Sequence, residues 1–262
     1  MRKLIFLCLI IILMGNLNAE RKALVIANSV YDKVTIGNAI ADADSVQAVL
    51  HMMGYMVQRH NNLSISGFTA AVDSFATKLS ANDEAVVYYS GHGTNFGGLN
   101  YLVPTRTNLG LTQIYSKTSY SLNTLANKIK HARNSIIILE ASKAWGASAE
   151  KAVTKPFVSM NAASNKQVIF SAAAPNKGVQ NTQLPYSAFT KAFLDRITSS
   201  GEGINALFPQ ISRDVQTLSN GAQIPWVSGS MEGDYSFLSE AMMLQWRRQP
   251  QKILQGGGSL SW

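Results

Sequence analysis

The sequence predicts an α/β fold in which helices cover both faces of a mostly parallel β-sheet. Short, continuously apolar segments such as Lys22–Asn28 and Ser135–Leu139 are typical of strands that are buried on both faces. Between such segments lie stretches with apolar residues at helical spacing, for example Asn38–Met53. Strands that alternate with helices are joined by right-handed crossovers, which makes neighbouring strands parallel.

The remaining elements follow in regular order, and each is predicted from its apolar period and the turn residues beside it. Ser64 and Ser66 are both suited to cap the second helix, because a serine oxygen can accept a bond from a free amide in the first turn. The further elements are strand Tyr55–Arg59, helix Ser64–Leu79, strand Glu84–Tyr89, an extended piece Tyr101–Pro104, helix Leu122–Ala132, strand Gln167–Ala172, helices Ser187–Ile197 and Ile204–Leu218, and a short strand Pro225–Val227.

The composition excludes several classes of protein. With 262 residues, 46% of them hydrophobic and only 15% charged, the chain is long and apolar enough to bury a core and is not a disordered protein. One cysteine cannot build a disulfide framework. The net charge of +8 is spread without a dense Lys/Arg run, so we expect no nucleic acid as partner.

The first nineteen residues have the pattern of a secretory signal peptide. Arg2 and Lys3 precede the apolar run Leu4–Met14, and small and polar residues lead to an expected cleavage after Ala19. The apolar run is too short to span a bilayer, so we expect export to the periplasm or the exterior with no membrane anchor left after cleavage. Cleavage also removes Cys8, the only cysteine, and with it any thiol nucleophile.

The rest of the chain is expected to form one domain, residues 20–246, with two irregular segments. Residues 143–166 lack a clear period and are predicted to be a linker loop of functional or disordered character. Residues 247–262 are polar and rich in glycine and are predicted to be a flexible tail.

Two polar side chains follow predicted strands at the points where those strands end. His92 stands between Gly91 and Gly93 directly after one strand, and Ser142 follows another. Ligands and catalytic groups of open parallel sheets gather beyond the carboxyl ends of the strands, so we expect both residues at one site. Neither a phosphate-loop motif nor metal-ligand spacing among the histidines is present, and His51, His60 and His131 are expected at the surface.

Seven stretches of the chain resemble the caspase family, most closely its bacterial and metacaspase-like members. They occur in the family's order across residues 21–240, so together they are far more specific than any one of them. The stretches are Lys22–Tyr31 (KALVIANSVY), Asn38–Val46 (NAIADADSV), Tyr88–Gly93 (YYSGHG), Asn100–Pro104 (NYLVP), Ile136–Lys143 (IIILEASK), Phe170–Pro175 (FSAAAP) and Tyr186–Phe193 (YSAFTKAF).

The resemblance implies a caspase-like fold and a Cys–His dyad endopeptidase. It puts His92 at the catalytic histidine and Ser142 at the nucleophilic cysteine, with the amides of Gly93 and Ser142 as the oxyanion hole. The pocket for a basic side chain before the scissile bond would be lined by Asp42, Ser90 and Glu140, of which Glu140 replaces the usual aspartate.

The serine at position 142 favours an inactive relative. A serine hydroxyl is far less acidic than a thiol, and the family's dyad places no carboxylate behind the histidine. We therefore predict a pseudoprotease that binds peptides or proteins with basic residues. The alternatives are an active endopeptidase that cleaves after Arg or Lys with Ser142 as nucleophile and His92 as base, and a role on the surface or tail. Glu140 and Lys143 also depart from the family motif, which favours natural divergence over an artificial replacement.

The resemblance carries three further expectations. A monomer is expected, as for bacterial and metacaspase-like members. No cofactor is expected; calcium activates some metacaspases, but no acidic cluster in this sequence argues for it. Lys151 and Lys155 lie in the linker segment that active relatives cleave during maturation.

Overall fold

A computed structural model describes residues 19–31, 35–107, 115–141, 157–160, 165–171, 186–233, 235–239 and 242–244, and the structural statements below concern these residues. Several predicted features lie outside them. These are residues 1–18 of the expected signal peptide, Ser142, most of the expected linker with Lys151 and Lys155, and the expected tail.

The main sheet has six strands in the order β2-β1-β3-β7-β8-β9. All neighbouring strands are parallel except β8 and β9, which are antiparallel, so the predicted α/β fold with a mostly parallel sheet is confirmed. The strands of this sheet are β1 Arg21–Ala27, β2 Met56–Asn61, β3 Glu84–Ser90, β7 Asn134–Glu140, β8 Lys166–Phe170 and β9 Trp226–Ser230.

Three helices cover one face of this sheet. They are α1 Ala39–Met52, α5 Ala188–Ser199 and α6 Ile204–Leu218. Their apolar side chains form one core with every second strand residue, such as Val25, Tyr88 and Ile138. The alternation follows from the two-residue period of a strand, which sends successive side chains to opposite faces.

Two other helices, α2 Ile65–Thr77 and α4 Leu122–Ile129, cover the opposite face. Their core takes the intervening strand residues, for example Tyr89 and Ile137. Of the two proposed caps for α2, Ser64 is the one used: its side chain accepts a hydrogen bond from the Gly67 amide. Helices on both faces explain why the inner strands are apolar throughout.

A second sheet has three short antiparallel strands and was not predicted as a sheet, although the predicted extended piece Tyr101–Pro104 overlaps one of its strands. It consists of β4 Gly93–Phe96, β5 Leu99–Leu102 and β6 Tyr120–Ser121. The short helix α3, Tyr115–Thr118, comes just before β6 in the chain. Gly97 and Gly98 join β4 to β5 with positive φ angles of 60° and 78°, which glycine adopts without strain. Strands of two to four residues are too short to show a period in the sequence.

The far edge of the main sheet is held by aromatic stacking. Trp226 of β9 lies parallel to Phe170 of β8 at 4.0 Å between ring centroids, and Phe157 packs against the same Phe170 ring at 5.3 Å. Phe157 belongs to the expected linker, so part of that segment, Phe157–Met160, packs on the domain. Among the described helices, none is both long and apolar enough to cross a membrane.

Replacing Ile138 by alanine tests how the central strand contributes to stability. Ile138 is fully buried and lies between Tyr88 and Ile169 in the sheet register. Its truncation leaves a cavity, so we expect the free energy of unfolding to fall by about 2–5 kcal/mol in a urea titration. Val30→Ala, at a side chain that is 53% exposed, is the control and should change it by less than about 0.5 kcal/mol.

Candidate functional site

Three of the residues predicted to line the substrate pocket come together at the carboxyl end of the sheet. Ser90 and Glu140 end β3 and β7 and are direct partners in the parallel register. Both follow Tyr88 and Ile138 by two residues, so both point to the face that α1 and α5 cover. Asp42 lies on the buried side of α1 on that same face.

The side chains of Asp42, Ser90 and Glu140 form the corner of the site. Asp42 connects α1 to β3 and to α5 through both of its carboxylate oxygens. One oxygen accepts a hydrogen bond from the Ser90 hydroxyl at 3.2 Å, and the other accepts from the backbone amide of Ser187 at 2.6 Å. Ser187 is the residue that caps the N-terminus of α5. The Asp42 carboxylate is therefore bonded directly to the N-terminus of α5.

The side chain of Glu140 is also buried, and Asp42 and Glu140 both affect the pKa of Tyr88. Burial raises the pKa of Tyr88 well above its ordinary value, and the negative charges of Asp42 and Glu140 raise it further. The neutral hydroxyl of Tyr88 makes a 2.8 Å hydrogen bond with the hydroxyl of Thr190 on α5. The corner therefore contains two buried carboxylates, of which Asp42 accepts bonds from one hydroxyl and one amide.

His92 lies two residues beyond Ser90, and hydrogen bonds hold its backbone on both sides. Its amide donates to the Tyr31 hydroxyl at 2.8 Å, and its carbonyl accepts from the Tyr89 hydroxyl and from the amide of Val103, both at 2.9 Å. The imidazole packs against the Tyr31 ring at 4.4 Å between centroids. These contacts give a loop residue a defined position.

The two tyrosine hydroxyls beside His92 stay neutral. Burial raises the pKa of both Tyr31 and Tyr89 well above the ordinary value, so each keeps its proton at any physiological pH. Each hydroxyl lies within hydrogen-bond distance of the carbonyl of Val103, at 3.2 Å from Tyr31 and 2.9 Å from Tyr89. Residues 91–93, which we call the histidine loop, are thereby joined to the segment that directly follows β5.

The glycines on either side of His92 are required by close packing. A Cβ atom on Gly91 would lie 2.9 Å from the Tyr31 oxygen and closer still to Tyr89. A Cβ atom on Gly93 would overlap the ring of Phe157. No larger residue fits at either position without displacing an aromatic side chain that packs on the histidine loop.

Five of the six residues predicted for the site are described. The structure brings Asp42, Ser90 and Glu140 together, and His92 and Gly93 follow Ser90 directly in the chain. The sixth, Ser142, lies outside the described residues. Glu140, two positions before it in the sequence, accepts a 3.3 Å hydrogen bond from the Gly91 amide through its backbone carbonyl. The catalytic and substrate-binding roles of these residues remain predictions.

Sequence reasoning missed the residues that hold the site in place. Tyr31, Tyr89, Phe157 and Ser187 each contact a predicted site residue. Thr190 lies one step further out and bonds to Tyr88 and to Ser187. Tyr31, Tyr89, Ser187 and Thr190 do lie within stretches that resemble the caspase family, which is the one signal that could have singled them out.

The other histidines lie away from this corner. His51 and His131 are exposed, as expected, and His60 on the edge strand β2 is half-buried. Within the described part of the chain, no three His, Cys, Asp or Glu side chains are grouped as a metal site requires. We assign no residue to calcium.

Comparison with known proteins defines the class of this chain. The caspase domain profile matches residues 20–236, and the chain therefore belongs to the caspase family. Its fold is similar to the crystal structure of caspase-1 from Spodoptera frugiperda, with a TM-score of 0.63 and 14% sequence identity over 84% of this chain and 93% of that one. No curated protein sequence matches it.

Replacing Gly91 by alanine tests the packing around His92. The added methyl group collides with Tyr89 and Tyr31, so we expect the free energy of unfolding to fall by about 1–3 kcal/mol. Gly37→Ala is the matched control, because a Cβ atom there meets nothing within 4 Å, and it should change stability by less than about 0.5 kcal/mol. Equal stability of the two variants in urea unfolding would contradict this packing.

Proposed function

We propose that this caspase-family protein is an exported pseudoprotease that binds a basic side chain of a peptide or protein partner. The observation that supports the proposal is that two buried carboxylates, Asp42 and Glu140, lie beside Ser90. Ser90 precedes His92 by two residues. Export rests on the signal-peptide pattern of residues 1–19, and we propose that the mature protein is monomeric.

The chemistry of the corner suits a guanidinium or an ammonium group. Hydrogen bonds between a cation and a carboxylate are about twice as strong as neutral ones, and burial from water strengthens them further. An arginine side chain carries five donors in a planar fork, so it can bond to two carboxylates and a hydroxyl at once. A lysine ammonium is a single point of charge, and we expect it to bind more weakly.

The residue at position 142 argues against efficient proteolysis. Serine needs a histidine that is itself oriented by a carboxylate or an equivalent group, whereas cysteine supplies some thiolate at neutral pH without one. The chain belongs to the caspase family, and the Cys–His dyad of that family has no such carboxylate behind the histidine. Loss of the nucleophile from a dyad costs several orders of magnitude in rate.

One observation favours the alternative of an active serine endopeptidase. The backbone of His92 is held by three hydrogen bonds, and Gly93 keeps the glycine of the proposed oxyanion hole. The histidine and the glycine of the proposed site are therefore held in defined positions. The two functions differ in whether Ser142 attacks a bound peptide, and exchange of that one residue separates them.

Binding of an arginine peptide tests the pocket. We expect a short arginine peptide to bind purified 20–262, and Asp42→Asn or Glu140→Gln to weaken it by about 30-fold or more, because each removes a buried charge partner. The same peptide with citrulline, a neutral isostere, should bind weakly to all variants. The measurement is fluorescence anisotropy with labelled peptides, with circular dichroism to show that each variant is folded.

Asp44→Asn is the matched control for this experiment. Asp44 lies two residues from Asp42 on α1, but its side chain is exposed and pairs with Arg59. It should leave the affinity unchanged. If Asp44→Asn weakens binding as much as Asp42→Asn does, or if the arginine and citrulline peptides bind equally, the pocket is not the binding site.

Replacement of Ser142 by cysteine tests the missing chemistry. We expect native protein and Ser142→Ala to cleave arginine and lysine peptides equally slowly, and Ser142→Cys to cleave them about 100-fold faster or more. Adding His92→Ala to Ser142→Cys should remove the gain. Product formation is followed by mass spectrometry, with and without calcium.

The other outcomes of this experiment have defined meanings. Cleavage by the native protein that Ser142→Ala abolishes identifies an active serine endopeptidase and refutes the pseudoprotease. Peptide binding without cleavage by any variant keeps the binding function and shows that the nucleophile position is misplaced. If no variant binds or cleaves, the function lies on the surface or the tail, and deletion of residues 247–262 becomes the next test.

A further inference from the structure

The first residue after the predicted cleavage site makes a specific contact with a buried carboxylate. The backbone nitrogen of Glu20 donates a hydrogen bond to one carboxylate oxygen of Asp83 at 3.1 Å. Asp83 is 1% exposed, whereas Ala19 and Glu20 are exposed. The bond that a signal peptidase would cut is therefore accessible, and its nitrogen already points at a buried anion.

The other oxygen of Asp83 has its own partners. It accepts hydrogen bonds from the ammonium group of Lys22 and from the amide of Ser80, both at 2.8 Å. The same Lys22 ammonium lies 2.7 Å from the side-chain carboxylate of Glu20. In the uncleaved chain one ammonium group thus faces two carboxylates, and the cluster has an excess negative charge.

We propose that removal of the leader turns the Glu20 nitrogen into an α-ammonium group that binds Asp83 and completes this ion-pair cluster. Hydrolysis of the Ala19–Glu20 bond consumes one water and leaves a carboxylate on Ala19 and a protonated amine on Glu20. Two positive charges then face two negative ones. Leader removal thereby stabilises the mature fold at the start of β1. This inference rests on the proposed export and on cleavage after Ala19, but not on the proposed peptide binding.

The Asp83 carboxylate has a lowered pKa, so it can pair with an α-ammonium group. Burial raises the pKa of Asp83, but the hydrogen bonds from Lys22 and from the amides of Ser80 and Glu20 outweigh this and lower it to about 2. Burial lowers the pKa of Lys22, but its bonds to Asp83 and Glu20 outweigh this and raise it. Both groups are therefore charged over the whole physiological range.

Other titratable groups near the cluster have partners of their own. Arg21 pairs with Glu84 at 2.9 Å, and Arg133 approaches the same carboxylate at 3.6 Å. The ring nitrogen of His131 lies 3.1 Å from the carbonyl of Leu79. These groups are identical in matched N-terminal variants, so their titration cancels when the variants are compared.

The first experiment identifies the mature N-terminus. The full chain is expressed in a bacterium that exports it, and the N-terminus of the exported protein is determined by mass spectrometry. We expect Glu20 with a free amine. Any other N-terminal residue overturns the proposal, because the α-ammonium would then lie at least one residue, about 3.8 Å along the backbone, from its predicted position.

The second experiment measures the contribution of the new charge. Protein 20–262 with a free amine is compared with the same protein acetylated at Glu20 and with protein 19–262, which carries the ammonium one residue away. We expect the free amine to raise the melting temperature by about 1–4 °C over both controls at pH 6–7. Equal melting temperatures at this pH overturn the proposal.

The pH dependence of this difference has a definite sign. The α-amino pKa of an unfolded chain is about 7.7–8.0, and the anionic partner raises it in the folded state. The stabilisation is therefore complete below about pH 7.7 and is lost as the pH rises through the folded pKa. A difference between free and acetylated protein that persists unchanged at pH 11 would come from another source and contradict the proposal.

Asp83→Asn links the effect to its predicted partner. In this variant the free and acetylated proteins should melt at the same temperature, and an unchanged difference overturns the proposal. If Asp83→Asn does not fold, Glu20→Gln is used instead: it leaves the Asp83 contact intact, so the free amine should still raise the melting temperature. Loss of the difference in Glu20→Gln would assign it to the Glu20 side chain.

Discussion

The parallel register of β1, β3 and β7 is the constraint on which the rest of the site depends. It sets Ser90 directly beside Glu140, and the two-residue period of the strands then directs both side chains to the face that α1 and α5 cover. A shift of one residue in either strand would send that side chain to the opposite core. The position of Asp42 on α1 matters only because this register holds.

The buried carboxylates at the two ends of the sheet are bonded to different kinds of group. At the amino end, Asp83 faces the ammonium group of Lys22. At the carboxyl end, Asp42 is held by an amide at the start of α5 and by a serine hydroxyl. Charge pairing makes Asp83 part of a structural anchor, whereas the amide and hydroxyl bonds at the other end fix the position of the Asp42 side chain.

The position of His92 depends on contacts with aromatic side chains and with the segment that follows β5. The backbone of His92 is fixed by Tyr31, Tyr89 and Val103, and the glycines beside it are fixed by the space that aromatic rings leave. The packing of aromatic rings around Gly91 and Gly93 therefore fixes the position of the His92 backbone between them.

Most of the main sheet could be predicted from the sequence, because the periods of strands and helices and the polar residues at strand ends are local patterns. They determined the α/β fold, the place of His92 and the departure at Ser142. The small β4-β5-β6 sheet was too short to leave such a pattern. The family resemblance placed Asp42 and Ser90 in one pocket, but only the tertiary structure showed the hydrogen bond between these residues, which lie 48 positions apart. It also brought Tyr31 to His92, 61 residues away, which the sequence did not predict. The physical reason is that these contacts arise from strand register and helix crossovers, which join distant segments and leave no period in the chain.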